Sequence, residues 1–72
     1  MNWYKNPIDE YAGIIWRALS NQEMSWEELL KTTKLAPLEL ASGIGWLARE
    51  GKIHIRSNNG ALIFNVYREN YL

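Results

Sequence analysis

Hydrophobic residues recur at a helical spacing in the first two thirds of the chain. Asn6 can cap a helix and Pro7 suits a first helical position, so the first helix is predicted to begin there and to end near residue 20. The apolar face of this helix consists of Ile8, Tyr11, Ala12, Ile15 and Leu19.

Two further helices are predicted between residues 25 and 50. Ser25 and Glu28 have the spacing of a capping box, which begins a second helix that ends near residue 33. Pro37 disfavours a helical residue before it and suits a helix start, so a tight connection leads into a third helix that Gly51 closes. The buried face of the third helix is predicted to consist of Leu40, Gly43, Ile44 and Leu47.

Apolar and polar residues alternate in the last third, which predicts a β-hairpin. Asn59 and Gly60 suit a type I′ turn, because both central positions of that turn need a positive φ. The turn fixes the register, with the opposed residues Asn58 and Ala61, Arg56 and Ile63, Ile55 and Phe64, His54 and Asn65, Ile53 and Val66, and Lys52 and Tyr67.

This register gives the hairpin one apolar face and one mixed face. Lys52, His54 and Arg56 lie on the mixed face, which is expected to face water or a partner. The apolar face consists of Ile53, Ile55, Leu62, Phe64 and Val66. Three helices followed by such a hairpin predict an α+β fold, a winged helix-turn-helix, in one domain over residues 1–72.

Two segments carry a resemblance to a known family. Residues 45–53 have the sequence GWLAREGKI and residues 12–19 have the sequence AGIIWRAL. Together they resemble a family of small stand-alone winged helix-turn-helix proteins from anaerobic bacteria and archaea, which has no assigned biochemical function. The resemblance implies a winged-helix fold, homodimers and, by analogy of fold, transcription-related DNA binding.

Composition excludes several kinds of site. The 72 residues include no Cys and one His, so we expect no disulfide, no metal site and no cofactor. The paired carboxylates at residues 9–10 and 27–28 are explained by helix starts, and no catalytic set can be assembled, so we expect no enzyme. The longest apolar run is residues 61–64, and we therefore expect a soluble cytoplasmic protein without membrane segments.

Charge bears directly on DNA binding. Eight Lys and Arg balance eight Asp and Glu, which argues against strong bulk attraction to nucleic acid. The third helix is predicted to expose Leu38, Glu39, Ala41, Ser42 and Gly45, none of which is basic. Any binding is therefore expected to be weak or to depend on phosphate contacts, with the candidate residues Lys31, Lys34, Leu38, Glu39, Ser42, Arg49, Lys52 and Arg56.

An alternative interpretation of these residues stays open. The third helix can be a packing element whose small residues allow close approach of another element, and the cations can be ordinary solvated surface. On that interpretation the winged helix is a homodimeric protein-interaction module that does not bind DNA.

The chain has more aromatic residues than one small core needs. Four Trp and four Tyr occur in 72 residues, and a chain of this length gains stability from association. Trp16 and Trp46 flank predicted core positions. We expect a homodimer, with the candidate interface residues Trp3, Tyr4, Ile14, Trp16, Tyr67 and Tyr71.

Overall fold

The computed structural model of the protein describes residues 6–66. The elements in chain order are α1 (Pro7–Leu19), β1 (Met24–Ser25), α2 (Trp26–Thr33), α3 (Pro37–Arg49), β2 (Ile53–Asn58) and β3 (Ala61–Val66). The three helices and the C-terminal hairpin predicted from the sequence are thereby confirmed.

Local side-chain bonds explain where the helices begin. Oδ1 of Asn6 accepts a hydrogen bond from the backbone N–H of Ile8 at 3.0 Å, which caps α1. At α2, the N–H of Glu28 donates to Oγ of Ser25 at 3.2 Å and the N–H of Ser25 donates to Oε1 of Glu28 at 2.8 Å. The predicted capping box is therefore present in both directions.

The three strands form an antiparallel sheet in the order β1-β3-β2. The register of β2 on β3 is the predicted one from the pair Asn58 and Ala61 to the pair Ile53 and Val66. Asn59 has φ 53° and Gly60 has φ 84°, as a type I′ turn requires. The predicted partner of Lys52, Tyr67, lies outside the described residues.

The strand β1 was not predicted. Met24 pairs with Phe64 and Ser25 pairs with Ile63, so β1 covers the free edge of β3 over two residues. A strand this short has no alternation to detect, and Ser25 carries a stronger local signal as the cap of α2.

The core lies between the three helices and the inner face of the sheet. Its ten apolar residues are Ala12, Ile15, Leu19, Met24, Leu29, Leu40, Ile44, Leu47, Ile53 and Phe64. The helices α1 and α3 pack closely at Gly43, where a methyl group would lie 2.5 Å from Cδ1 of Ile15 and 3.1 Å from the backbone carbonyl carbon of Tyr11. The absence of a side chain at Gly43 sets the distance between these helices.

The apolar face of the hairpin is only partly covered. Ile53 and Phe64 are buried and Val66 packs against the core, whereas Ile55 is 43% exposed and Leu62 is 50% exposed. Ile55 and Leu62 lie nearer the turn, where the hairpin extends past the helices as a wing. The sequence pattern marks the apolar face but not how far along it the helices reach.

Three helices with a hairpin wing and a short β1 strand form a winged helix-turn-helix domain. Within residues 6–66, no helix is both long enough and apolar enough to cross a membrane.

Candidate functional site

One side of α3 is largely exposed in residues 6–66. Five residues recur on this side at intervals of three and four positions, so they lie on one face of the helix. Leu38 is 77% exposed, and a side chain at Gly45 would have no heavy atom of the described residues within 4 Å. We call this surface the exposed face of α3, and its residues are Leu38, Ala41, Ser42, Gly45 and Arg49.

Glu39 lies away from this face, contrary to the prediction from sequence. Its side chain is half-buried toward α1, where Oε2 accepts a hydrogen bond from the hydroxyl of Tyr11 at 3.3 Å. Its Oε1 accepts a second bond from the backbone N–H of Ala36 at 2.8 Å, which caps α3. These two bonds hold the carboxylate to the protein, so the exposed face of α3 carries no negative charge.

The environment of Tyr11 is changed by the same contact. Desolvation by the surrounding protein, then the charge of Glu39 and its hydrogen bond, raise the pKa of Tyr11 above the ordinary value of 10.0. The phenol therefore remains protonated at neutral pH and donates to Glu39.

Three of the candidate cations lie around the helix-turn-helix. Lys31 is exposed in the last turn of α2, and Lys34 is the exposed C-cap of α2, three positions before α3 begins. Arg49 is the last residue of α3 and is exposed. Lys34 and Arg49 thus stand at the two ends of α3, next to its uncharged middle.

The other two candidate cations are Arg56, which forms an ion pair, and Lys52, which lies beside a groove. Nη2 of Arg56 lies 2.7 Å from Oε2 of Glu23, and both side chains are about half exposed. This ion pair crosses the outer face of the sheet, since Arg56 is opposite Ile63 on β3 and Glu23 precedes β1. Lys52 lies at a groove between α1 and the end of α3.

That groove, which we call the α1–α3 groove, has a volume of about 660 Å³. Its walls include two tryptophans, Trp16 at 37% exposure and Trp46 at 39% exposure. Arg17, Glu50 and Lys52 supply charges of both signs around it. Trp16 is a predicted interface residue, whereas Trp46 is predicted from the sequence only to lie beside a core position, and the structure leaves both rings partly exposed.

The remaining predicted interface residues divide into two groups. Ile14 is half-buried on α1. Trp3, Tyr4, Tyr67 and Tyr71 lie outside the described residues. The position of Trp46, about 100° around α3 from the buried Leu47, was the available signal that its ring need not be in the core.

No metal-ligating cluster occurs in the part of the chain that the structure describes: His, Asp and Glu do not gather in groups of three or more there. Two features of the described residues are candidates for binding: a helix face that is apolar or small in its middle and has cations at its ends, and a groove with two tryptophans.

Comparison with known proteins agrees with this architecture. A solution structure of protein BT2368 from Bacteroides thetaiotaomicron is similar with a TM-score of 0.76 and 33% identity, over 83% of this chain and 74% of that one. A crystal structure of the transcriptional regulator HlyU from Vibrio vulnificus is similar with a TM-score of 0.72 and 26% identity, over 85% of this chain and 62% of that one.

No curated protein has a sequence that matches this chain. Residues 1–66 match the family described as Winged helix-turn-helix domain (DUF2582), and this range includes the whole region that the structure describes. The chain therefore belongs to the winged helix-turn-helix domain family DUF2582.

Proposed function

We propose that this chain is a transcription-related DNA-binding protein that inserts α3 into the major groove and holds DNA mainly through phosphates. The observation that carries the proposal is the exposed face of α3, which is unpacked in residues 6–66 and has Lys34 and Arg49 at its ends. The major groove admits one α-helix, and cations beside it contact phosphates. Membership of a winged-helix family and similarity to HlyU, a transcriptional regulator, support the same function.

The expected contacts are few, because the whole chain has a net charge of zero. Lys31, Lys34 and Arg49 are the cations around the helix-turn-helix, and Ser42 is the polar side chain in the middle of the exposed face of α3. Binding is therefore expected to be weak and steeply dependent on salt.

The test is a salt titration with a fluorescently labelled duplex of alternating A·T pairs between about 50 and 200 mM salt. Lys34→Ala and Arg49→Ala should each weaken binding and reduce the salt slope by about one. Arg17→Ala is the matched control, because Arg17 lies in the α1–α3 groove, away from the exposed face of α3; provided that sedimentation shows an unchanged assembly, this variant should leave the slope unchanged. Absence of binding at the lowest salt would refute the proposal.

We also infer self-association through the α1–α3 groove, because a specific observation favours it. Trp16 on α1 and Trp46 on α3 line the same groove, and each has more than a third of its surface exposed. Trp is enriched at protein interfaces. Arg17 and Glu50 offer opposite charges that a twofold axis would pair between copies.

Sedimentation at micromolar concentration tests this association. Gly13→Leu places an apolar side chain in the groove from α1, where a Cβ would make an ordinary contact of 3.6 Å with Nη1 of Arg17, and circular dichroism establishes that the variant folds. We expect Gly13→Leu to sediment as a monomer and Gly45→Leu, on the exposed face of α3, to sediment like the unsubstituted protein. A monomeric unsubstituted protein would refute the inference; a dimer that binds no DNA would favour the interaction-module alternative.

A further inference from the structure

Apolar and small residues dominate the exposed face of α3, whereas helices that contact DNA usually present polar and basic side chains. Leu38 in its first turn is more exposed than any other large apolar residue among residues 6–66. Ala41 is exposed one turn later, and Gly45 has open space above it. Removing exposed hydrophobic side chains from water is favourable, so a ligand that covers them is bound more tightly.

Hydrogen bonding alone cannot account for recognition by this face. Ser42 is the single hydroxyl on it, and Glu39, which could accept from cytosine, is bonded to Tyr11 and Ala36 instead. In the major groove one base edge is distinguished by an apolar group, namely thymine with its C5-methyl. Alanine and larger apolar side chains contact that methyl group directly.

Charge favours DNA over an apolar protein as the occupant of this face. Lys34 precedes α3 and Arg49 ends it, and α3 has 13 residues, so it is about 20 Å long. The major groove is about 12 Å wide between its phosphate walls. Because α3 is longer than the groove is wide, the cations at its two ends can lie near the phosphates while its apolar face lies against the base edges. This arrangement suits a groove that presents methyl groups between two rows of phosphates.

We propose that α3 contacts thymine C5-methyl groups through Leu38 and Ala41, so that the chain prefers DNA with thymines facing the first two turns of α3. This inference depends on the proposed DNA binding, and it names the class of base that the protein recognises. Lys34 and Arg49 position the helix through phosphates, and Leu38 and Ala41 supply the preference for thymine.

The test removes the methyl group and leaves every other group of the DNA in place. Affinities are measured for a duplex of alternating A·T pairs and for the same duplex with deoxyuridine in place of thymidine. Loss of the methyl group should weaken binding about fourfold for each methyl contacted. Conversely, 5-methylcytosine in an alternating G·C duplex restores a methyl at the equivalent position and should strengthen binding by a similar factor.

Two variants assign the effect to Leu38. Leu38→Ser should lower the preference for the thymidine duplex about fourfold, the contribution of one methyl contact, because that methyl group has lost its apolar partner while Ala41 remains. Leu62→Ser is the matched control: Leu62 is also an exposed leucine, but it lies on the wing, and its variant should keep the preference for thymidine. Circular dichroism establishes that both variants fold.

The outcomes separate the two proposals. Equal affinity of the unsubstituted protein for the thymidine and deoxyuridine duplexes, or an undiminished preference in Leu38→Ser, would overturn methyl recognition and leave DNA binding intact. Absence of binding to every duplex at low salt would overturn DNA binding and the inference together.

Discussion

The hydroxyl of Tyr11 in α1 donates a hydrogen bond of 3.3 Å to Oε2 of Glu39 in α3, 28 positions along the chain. The same carboxylate caps the start of α3 through the backbone N–H of Ala36. One side chain thus fixes where α3 begins and also ties that end of the helix to α1. The two bonds hold the carboxylate of Glu39 on the side of α3 that faces α1, away from the exposed face of α3.

Stability at alkaline pH should depend on Tyr11. Since the folded state raises the pKa of this phenol, the folded protein binds its proton more tightly than the unfolded chain does. The stabilisation is complete below the ordinary pKa of 10.0 and is lost as the pH rises through the raised pKa. Above pH 10.0, we expect the free energy of unfolding of the unsubstituted protein to fall more steeply with pH than that of Tyr11→Phe.

Urea unfolding at a series of pH values measures this difference. Tyr11→Phe is a suitable comparison because the other three tyrosines of the chain are present in both proteins. Parallel stability curves for the two proteins would contradict the prediction.

Two glycines of α3 should respond to alanine in opposite directions. At Gly43 a Cβ would meet Ile15 at 2.5 Å and the backbone of Tyr11 at 3.1 Å, so Gly43→Ala should destabilise the domain by about 1–3 kcal/mol. At Gly45 nothing lies within 4 Å, and Gly45→Ala should stabilise it by about 0.5–1 kcal/mol through helix propensity. Thermal unfolding of both variants tests the pair, and a destabilised Gly45→Ala would show that this position has a packing role.

The capping box of α2 should contribute measurably to stability. Ser25→Ala removes the acceptor for the N–H of Glu28 and should cost about 1 kcal/mol. Thr32→Ala serves as the control, because Thr32 is exposed within the same helix and makes no contribution to the cap. Urea unfolding compares the two variants, and equal midpoints would argue against the cap.

Local signals explain why so much of the fold could be predicted from the sequence. Asn6, the pair Ser25 and Glu28, and the pair Asn59 and Gly60 each act within a few residues, and each specifies its element in the structure as predicted. The register of the hairpin follows from its turn. Once the two central residues of the turn are fixed, each residue of one strand has a single possible partner on the other strand.

Contacts distant in sequence explain what could not be predicted. The prediction placed Glu39 on the exposed face because the periodicity of α3 gives no information about Tyr11, the partner of Glu39, which lies 28 positions earlier. The exposure of Trp46 depends on how α1 and α3 pack beside the groove that it lines, and the pairing of β1 with β3 joins residues about 40 positions apart. Such relationships are fixed by tertiary packing, so a pattern along the chain gives no direct signal of them.

The ion pair between Glu23 and Arg56 should limit the contribution of the wing to DNA binding. Its atoms are 2.7 Å apart with both side chains half exposed, so the pair adds at most about 1 kcal/mol to stability. Phosphate and Glu23 compete for the same guanidinium group. Glu23→Gln should therefore leave the thermal midpoint nearly unchanged, raise the affinity for DNA and steepen its salt dependence.

The control for this prediction removes an equal charge elsewhere. Glu27→Gln changes an exposed carboxylate in the first turn of α2, outside the ion pair, and reports the general effect of one fewer negative charge. The double variant Glu23→Gln with Arg56→Ala should bind no better than Arg56→Ala alone, because the gain requires the guanidinium. An equal gain in affinity from Glu23→Gln and Glu27→Gln would mean that Arg56 makes no phosphate contact and that the wing acts only through overall charge.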